Sequence, residues 1–283
     1  MTDKLRDLAE TSRWSLAQLQ RQIAYDRFLE RLYLADDGWI IKGATALIAR
    51  DLAVRGTIDV DVYRSSAREV AEAELRQAAQ QDIGDWFRFE IGPSRAVSEG
   101  GGDGIRLPVT AIVGATVWCT FRVDLVGPEI RITGQPDQVP PLARIAMPDI
   151  EQHGYRVYPL VDHIADKVAA ILQTYGAAQV PSTRYKDLVD LVAIVSQATV
   201  GAEPQRVALE SEADRREISL PASFSVPDRE LWEKGYAAEA ARSLLDMALT
   251  LDDALTVVTP FLDPVLDGTA VGTWDRKGGQ WVD

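Results

Sequence analysis

Cysteine is almost absent from this chain. Cys119 is the single thiol in 283 residues, which excludes an intrachain disulfide framework and any zinc site built on cysteines. Histidine is nearly as scarce. His153 and His163 stand alone with no metal-ligand spacing, and both read as structural. No apolar run approaches the ~20 residues of a membrane span. The opening residues, Met1-Thr2-Asp3-Lys4-Leu5-Arg6-Asp7, are charged and lead into no apolar segment. A secretory signal is therefore not expected, and the expected compartment is the cytoplasm. Basic residues are in deficit: 30 Lys and Arg face 43 Asp and Glu, a net charge of −13. That balance argues against broad, sequence-blind nucleic-acid binding, which needs a basic footprint. It leaves room for a local basic channel, and it suits a partner with a basic patch.

What is present is enough apolar material for a sizeable core. The hydrophobic fraction of 46% over this length allows one large domain or two modest ones. The organising stretch runs from Trp39 to Tyr63. Trp39-Ile40-Ile41 reads as a buried strand, and Gly43 turns the chain. Ala44 to Leu52 carries helix formers with an apolar stripe at Leu47, Ile48 and Leu52, and Arg55-Gly56-Thr57 breaks the helix. Ile58 to Tyr63 then alternates, with Ile58, Val60 and Val62 on one face and Asp59, Asp61 and Tyr63 on the other. The alternation sets two carboxylates on one face, roughly 7 Å apart by the pleat repeat. Such a pair is a solvated strand face, or it holds a divalent cation. Mg²⁺ commonly takes one or two protein carboxylates and completes its shell with water and phosphate oxygens. The glycine-led helix start upstream offers backbone N–H groups to a phosphate. Together these are parts of a nucleotidyl-transfer site.

The rest of the chain frames this core. Two helical segments are expected over residues 4 to 36. Arg21, Arg27 and Arg31 on the second are either a solvated face or a basic edge that meets RNA phosphates. Ser65 or Ser66 is expected to cap a helix over Ala67 to Gln81. Trp86 to Ile91 reads as a strand, and Ser98 to Gly104 as a loop or hairpin tip. Ile105 to Val113 and Thr116 to Val126 flank Gly114-Ala115 as a hairpin. Residues 127 to 150 look irregular, with a short strand near Ala143 to Met147, and Tyr155 to Pro159 reads as a last strand. A domain division is expected near residue 159. A core over 1–159 would then precede a mainly helical domain over 160–283, with helices at Pro204 to Arg216, Arg229 to Leu249 and Leu251 to Phe261. The tail from Asp263 either packs as a strand or stays mobile.

Lys42-Gly43-Ala44-Thr45-Ala46-Leu47, Arg50 and Arg55-Gly56-Thr57-Ile58-Asp59-Val60-Asp61 together resemble the signature of the AbiEii/AbiGii-type nucleotidyltransferase toxins. These belong to the DNA polymerase β-like nucleotidyltransferase superfamily. Ala44 departs from the usual Gly-Gly-[Ser/Thr]-Ala-Leu. Lys167, followed by Arg184, Lys186, Asp187, Asp190 and Leu191, matches the family's helix lysine and its Arg-x-Lys-Asp-x-x-Asp-Leu motif. The resemblance covers roughly residues 39 to 191. It implies an α/β fold, a mixed-sheet nucleotidyltransferase core with a C-terminal helical bundle that contributes Lys167 and Asp187. It implies transfer of a nucleoside monophosphate from an NTP with Mg²⁺ on Asp59 and Asp61, most often to the 3′ end of tRNA. Asp124 is implied as a third, strand-borne carboxylate. Gly43, Ala44, Thr45, Arg55, Thr57 and Lys167 are implied as nucleotide-binding residues, and Asp187 as a catalytic one. Asp190, three residues along the helix from Asp187, reads as structural. A phosphate added to Thr57 would repel NTP and metal, which marks it as a candidate control point. A separately encoded antitoxin is implied as partner, with no membrane. A protein hydroxyl or a small molecule such as an aminoglycoside is the alternative acceptor, and a non-catalytic binding relative is the alternative class.

Overall fold

In the computed structural model, which describes residues 1–99, 102–143 and 150–283, the chain divides into two units. The first comprises Met1–Asp51, Gly56–Ile130 and Pro136–Tyr158; the second comprises Leu52–Arg55, Arg131–Gln135 and Pro159–Asp283.

The first unit begins with helices α1 (Thr2–Thr11) and α2 (Leu16–Ala35). Ser15 and Gln18 start α2 with a reciprocal capping box. Strand β1 (Ile40–Lys42), helix α3 (Gly43–Ala49) and strand β2 (Asp59–Tyr63) follow. The α3 helix stops three residues short of Leu52, because Asp51 takes a left-handed φ of 61°. In β2, Val60 and Val62 are fully buried, but Ile58 lies before the strand and is half-exposed, so it does not join their buried face. Helix α4 (Arg68–Ala79) has Ala67 at its N-cap and no side-chain cap. Neither Ser65 nor Ser66 serves, and the Ser66 hydroxyl instead points to Glu74.

Strands β3 (Phe87–Ile91), β4 (Arg95–Glu99), β5 (Gly102–Val113) and β6 (Thr116–Val126) come next, then β7 (Asp137–Val139) and β8 (Tyr155–Val157). The β5–β6 hairpin forms as expected, with Gly114 at φ 61° in its turn. Of the loop or hairpin tip expected over Ser98 to Gly104, the hairpin is what forms: β4 and β5 pair antiparallel up to Glu99 and Gly102. What lies between, like the strand expected near Ala143 to Met147 beyond its first residue, falls outside the described residues. The sheet order is β3-β5-β6-β2-β1-β8-β7, with β4 on β5. The pairs β2–β6 and β1–β8 are parallel and the others antiparallel, so the sheet is mixed. Phe28 of α2 packs edge-on against Phe89 and Phe121, which seats α2 on the apolar sheet face.

That packing overturns both readings of Arg27 and Arg31. Neither is solvated and neither forms a basic edge; each is 1% exposed. Arg31 spends all five N–H groups on Asp85, Arg27 O, Gln81 O and Phe87 O, while Arg27 Nε donates to Asp85 at 2.8 Å. A buried guanidinium is tolerable only when so fully paired.

The second unit holds helices α5 (Leu160–Leu172), α6 (Tyr185–Gln197), α7 (Ala202–Arg216), α8 (Arg229–Ala240) and α9 (Leu251–Leu266), then strands β9 (Thr273–Asp275) and β10 (Gln280–Val282). α8 ends nine residues before Leu249. α9 outruns its expected end by five, through Pro260 and Pro264, because Phe261, Leu262 and Val265 bury one of its faces. The tail is a β9–β10 hairpin. Trp274 is buried, donates its indole N–H to Val195 O at 2.9 Å and meets Phe261 edge-on. Among the described residues no helix is long and apolar enough to cross a membrane.

Candidate active site

In the first unit the site grows from the pleat of β2. With Val60 and Val62 turned into the core, Asp59 and Asp61 face outward and are half-buried. The parallel register sets Arg122 beside Asp59 and Asp124 beside Asp61, and the antiparallel register sets Arg106 beside Asp124. Register partners share a sheet face. Three carboxylates and two guanidiniums therefore lie on one face, across three adjacent strands. Arg122 donates from Nε to Asp59 Oδ1 at 2.6 Å. Arg106 grips Asp124 at both oxygens, each at 2.7 Å.

The turn into α3 is shaped around Asp61. Gly43 has φ +57°, and a Cβ there would sit 1.9 Å from Asp61 Oδ2. Glycine is required twice over: for the left-handed backbone and for the space the carboxylate fills. Just before it, Lys42 is buried with its ammonium 3.9 Å from the centre of the Tyr158 ring. Ala44 is buried beside it.

The backbone of Asp59 is pinned by hydroxyls. Thr45, fully buried, donates to Asp59 O at 3.1 Å. Thr57 Oγ1 donates to the same carbonyl and accepts from Asp59 N, both at 3.1 Å. Tyr25 of α2 donates to Thr57 O at 3.0 Å. Burial holds the Tyr25 phenol well above its ordinary pKa, so it stays a donor. What the Thr45 and Thr57 side chains visibly do is hold the strand that carries the carboxylates.

In the second unit a separate charged cluster forms where α5 meets α6. Lys167 donates to Asp187 Oδ1 at 3.0 Å and to Asp190 Oδ2 at 2.7 Å. Arg184 Nε reaches Asp187 at 2.7 Å. Arg55 grips both oxygens of Asp190, at 2.9 and 2.7 Å. Lys167, Asp187 and Asp190 are all buried, whereas Lys186 is exposed. Burial works against charge in each, yet the partners prevail: Asp190 and Asp187 hold the Lys167 ammonium above its ordinary pKa. Lys167 in turn holds both carboxyls below the usual range, with Arg184 aiding at Asp187 and Arg55 at Asp190. All five groups stay charged at neutral pH, three cations to two anions.

The carboxylates fit a divalent cation in one form and not in another. Among the described residues no three Asp, Glu, His or Cys side chains converge as a three-ligand metal site requires. Asp124 is occupied at both oxygens by Arg106. Asp59 and Asp61, two carboxylates on one strand face, suit a hard cation that takes its remaining ligands from water and phosphate.

Sequence reasoning missed Arg122 and Arg106. Strand alternation puts Arg122 on the Asp124 face, but pairing Arg122 with Asp59 needs the β2–β6 register, which no local pattern reveals. It also missed Asp190's place as the carboxylate shared by Lys167 and Arg55, and the anchoring part of Tyr25.

A family model described as nucleotidyl transferase AbiEii toxin, type IV TA system, matches residues 27–257. Among solved structures, the chain is similar to MenT4, a nucleotidyltransferase toxin from Mycobacterium tuberculosis H37Rv. That match has a TM-score of 0.52 at 16% identity and covers 91% of this chain and 77% of the other. It is also similar to JHP933 from Helicobacter pylori, with a TM-score of 0.41 at 15% identity, covering 92% and 87%. No curated protein matches the chain.

Proposed function

The chain belongs to the AbiEii family of nucleotidyltransferase toxins of type IV toxin–antitoxin systems, and from that premise we propose that it transfers a nucleoside monophosphate from an NTP to the 3′ end of tRNA and so blocks translation. The observation that carries this reading is the open strand face of β2. Asp59 and Asp61 stand there beside the Gly43 turn, on a backbone held by Thr45 and Thr57.

In this reading Asp59 and Asp61 hold Mg²⁺, which when bound neutralises phosphate charge and polarises the phosphoryl group under attack. The acceptor hydroxyl oxygen bonds to the α-phosphorus, the bond to the β-phosphate bridging oxygen breaks, and pyrophosphate leaves as the acceptor proton is released. The Gly43-Ala44-Thr45 turn orients the donor phosphates through backbone N–H groups. Asp124, with both oxygens on Arg106, fixes that arginine in place and is poorly disposed to take the acceptor proton. Within the second unit Lys167 holds Asp187 and Asp190 and has one of its three N–H donors unspent. Asp187 and Arg55 act through this cluster: Asp187 holds Lys167 directly, and Arg55 holds Asp190. The partner implied by the family is a separately encoded antitoxin.

The test is incubation of the protein with Mg²⁺, each labelled NTP in turn and total tRNA, beside Asp59→Ala. The expected result is label in tRNA from one NTP and none with the variant. Label on protein or on an aminoglycoside instead would keep the chemistry and replace the acceptor. No label on any acceptor, with NTP still bound, would sink the transferase reading.

A further inference from the structure

We propose that Arg122 is a positioning residue that competes with a divalent cation for Asp59 and releases the carboxylate when the phosphates of a nucleoside triphosphate take its guanidinium. The inference rests on the function proposed above and adds a residue and an order of events to it.

Four observations converge. Arg122 and Asp59 are register partners, so their side chains rise from one sheet face, and the 2.6 Å contact is their direct meeting. That contact uses Asp59 Oδ1, one of the two oxygens that a cation could take. Among the described residues the two Nη groups of Arg122 make no hydrogen bond, so most of the fork is unspent. A guanidinium fork with spare N–H groups matches a phosphate group's oxygens. Finally, the pair can exchange partners without unpacking a core. The Arg122 and Asp59 side chains are 36% and 27% exposed, against 1% for both members of the Arg31–Asp85 pair. Arg106 differs again, since it is committed to both oxygens of Asp124.

The consequence is coupling. A cation arriving alone has to compete with Arg122, which already holds Asp59 Oδ1. A phosphate arriving alone gains Arg122 and leaves Asp59 exposed as an unpaired carboxylate. Arriving together, each removes the other's obstacle, so each raises the other's affinity by the same factor.

Two binding titrations on the full chain test this without turnover. One measures Mn²⁺ alone by its electron paramagnetic resonance signal. The other measures inorganic tripolyphosphate in the presence of EDTA. For Arg122→Gln we expect Mn²⁺ to bind more tightly and tripolyphosphate to bind more weakly, each by about tenfold. Arg122→Lys keeps the charge and loses the fork, so Mn²⁺ stays near its wild-type affinity while tripolyphosphate still weakens. Mn²⁺ affinity that is unchanged or lowered in Arg122→Gln overturns the proposal, as does unchanged tripolyphosphate affinity. Asp59→Asn separates the two levels. If it abolishes Mn²⁺ binding while Arg122→Gln changes nothing, the inference fails alone. If Mn²⁺ binds Asp59→Asn as it binds wild type, Asp59 holds no cation, and the proposed metal site fails with the inference. An unchanged thermal midpoint for Arg122→Gln confirms that the fold is intact.

Discussion

The two charged clusters use the same side-chain types for opposite ends. On the open face of β2, Asp59 is half-buried and meets one arginine through one oxygen. In the helical unit, Lys167, Asp187 and Asp190 are buried and nearly saturated, with Arg55 and Arg184 closing the remaining oxygens. A half-spent, half-solvated pair can change partners cheaply. A buried, paired set holds its geometry because breaking it strands a charge in a poor dielectric. Exchangeable and fixed charge pairs are thus told apart by hydrogen-bond saturation and solvent access, not by residue type.

The comparison breaks most visibly at Asp59. Asp59→Ala is expected to lower labelled transfer by about 10³-fold while moving the unfolding free energy by no more than about 1 kcal/mol. Transfer assays and urea titrations on the same preparation check both halves. A large loss of stability would show the open face to be scaffold as well. Lys167→Met should do the reverse in kind, costing about 3–5 kcal/mol of unfolding free energy by leaving two buried carboxylates without their shared cation. A cost under about 1 kcal/mol in the same titration would deny that the cluster is a scaffold.

Gly43→Ala sharpens the comparison from the backbone side. The left-handed φ alone should cost about 1–2 kcal/mol, and the displaced Asp61 should cut transfer beyond that. Wild-type transfer at a lowered thermal midpoint would show that Asp61's position is not critical.

The smallest effect is on pH dependence. Asp187 and Asp190 have folded pKa values below their unfolded ones. Their contribution to stability is therefore full above the unfolded Asp value near 4 and is lost as pH falls through the folded values. Wild type should lose stability as pH falls below about 4 more steeply than Lys167→Met, whose carboxyls lack the depressing charge. Parallel acid limbs in urea titrations would contradict this.

Much of the fold was legible because it is written locally. The alternation of β2, the hairpin around Gly114-Ala115 and the helical repeats from Leu160 each show within about ten residues. What escaped depends on distant partners. Whether Arg31 is wet or buried is decided by Asp85, 54 residues away. The Trp274 hairpin is held by Val195, 79 residues away. Arg122 meets Asp59 only through strands 63 residues apart. The end of α3 was overshot because Leu52 continued the apolar stripe while the left-handed turn at Asp51 left no mark on it. The same limit applied at the site: the carboxylates could be read from their spacing, and the arginines that answer them could not.

The contact between Gly43 and Asp61 also constrains how the sequence can drift. The room that a methyl group would need is already filled by a carboxylate oxygen. A lineage that gained a side chain at position 43 would have to relocate the acid at 61 in the same step or lose it. The two positions, eighteen apart in the chain, constrain each other through that one contact.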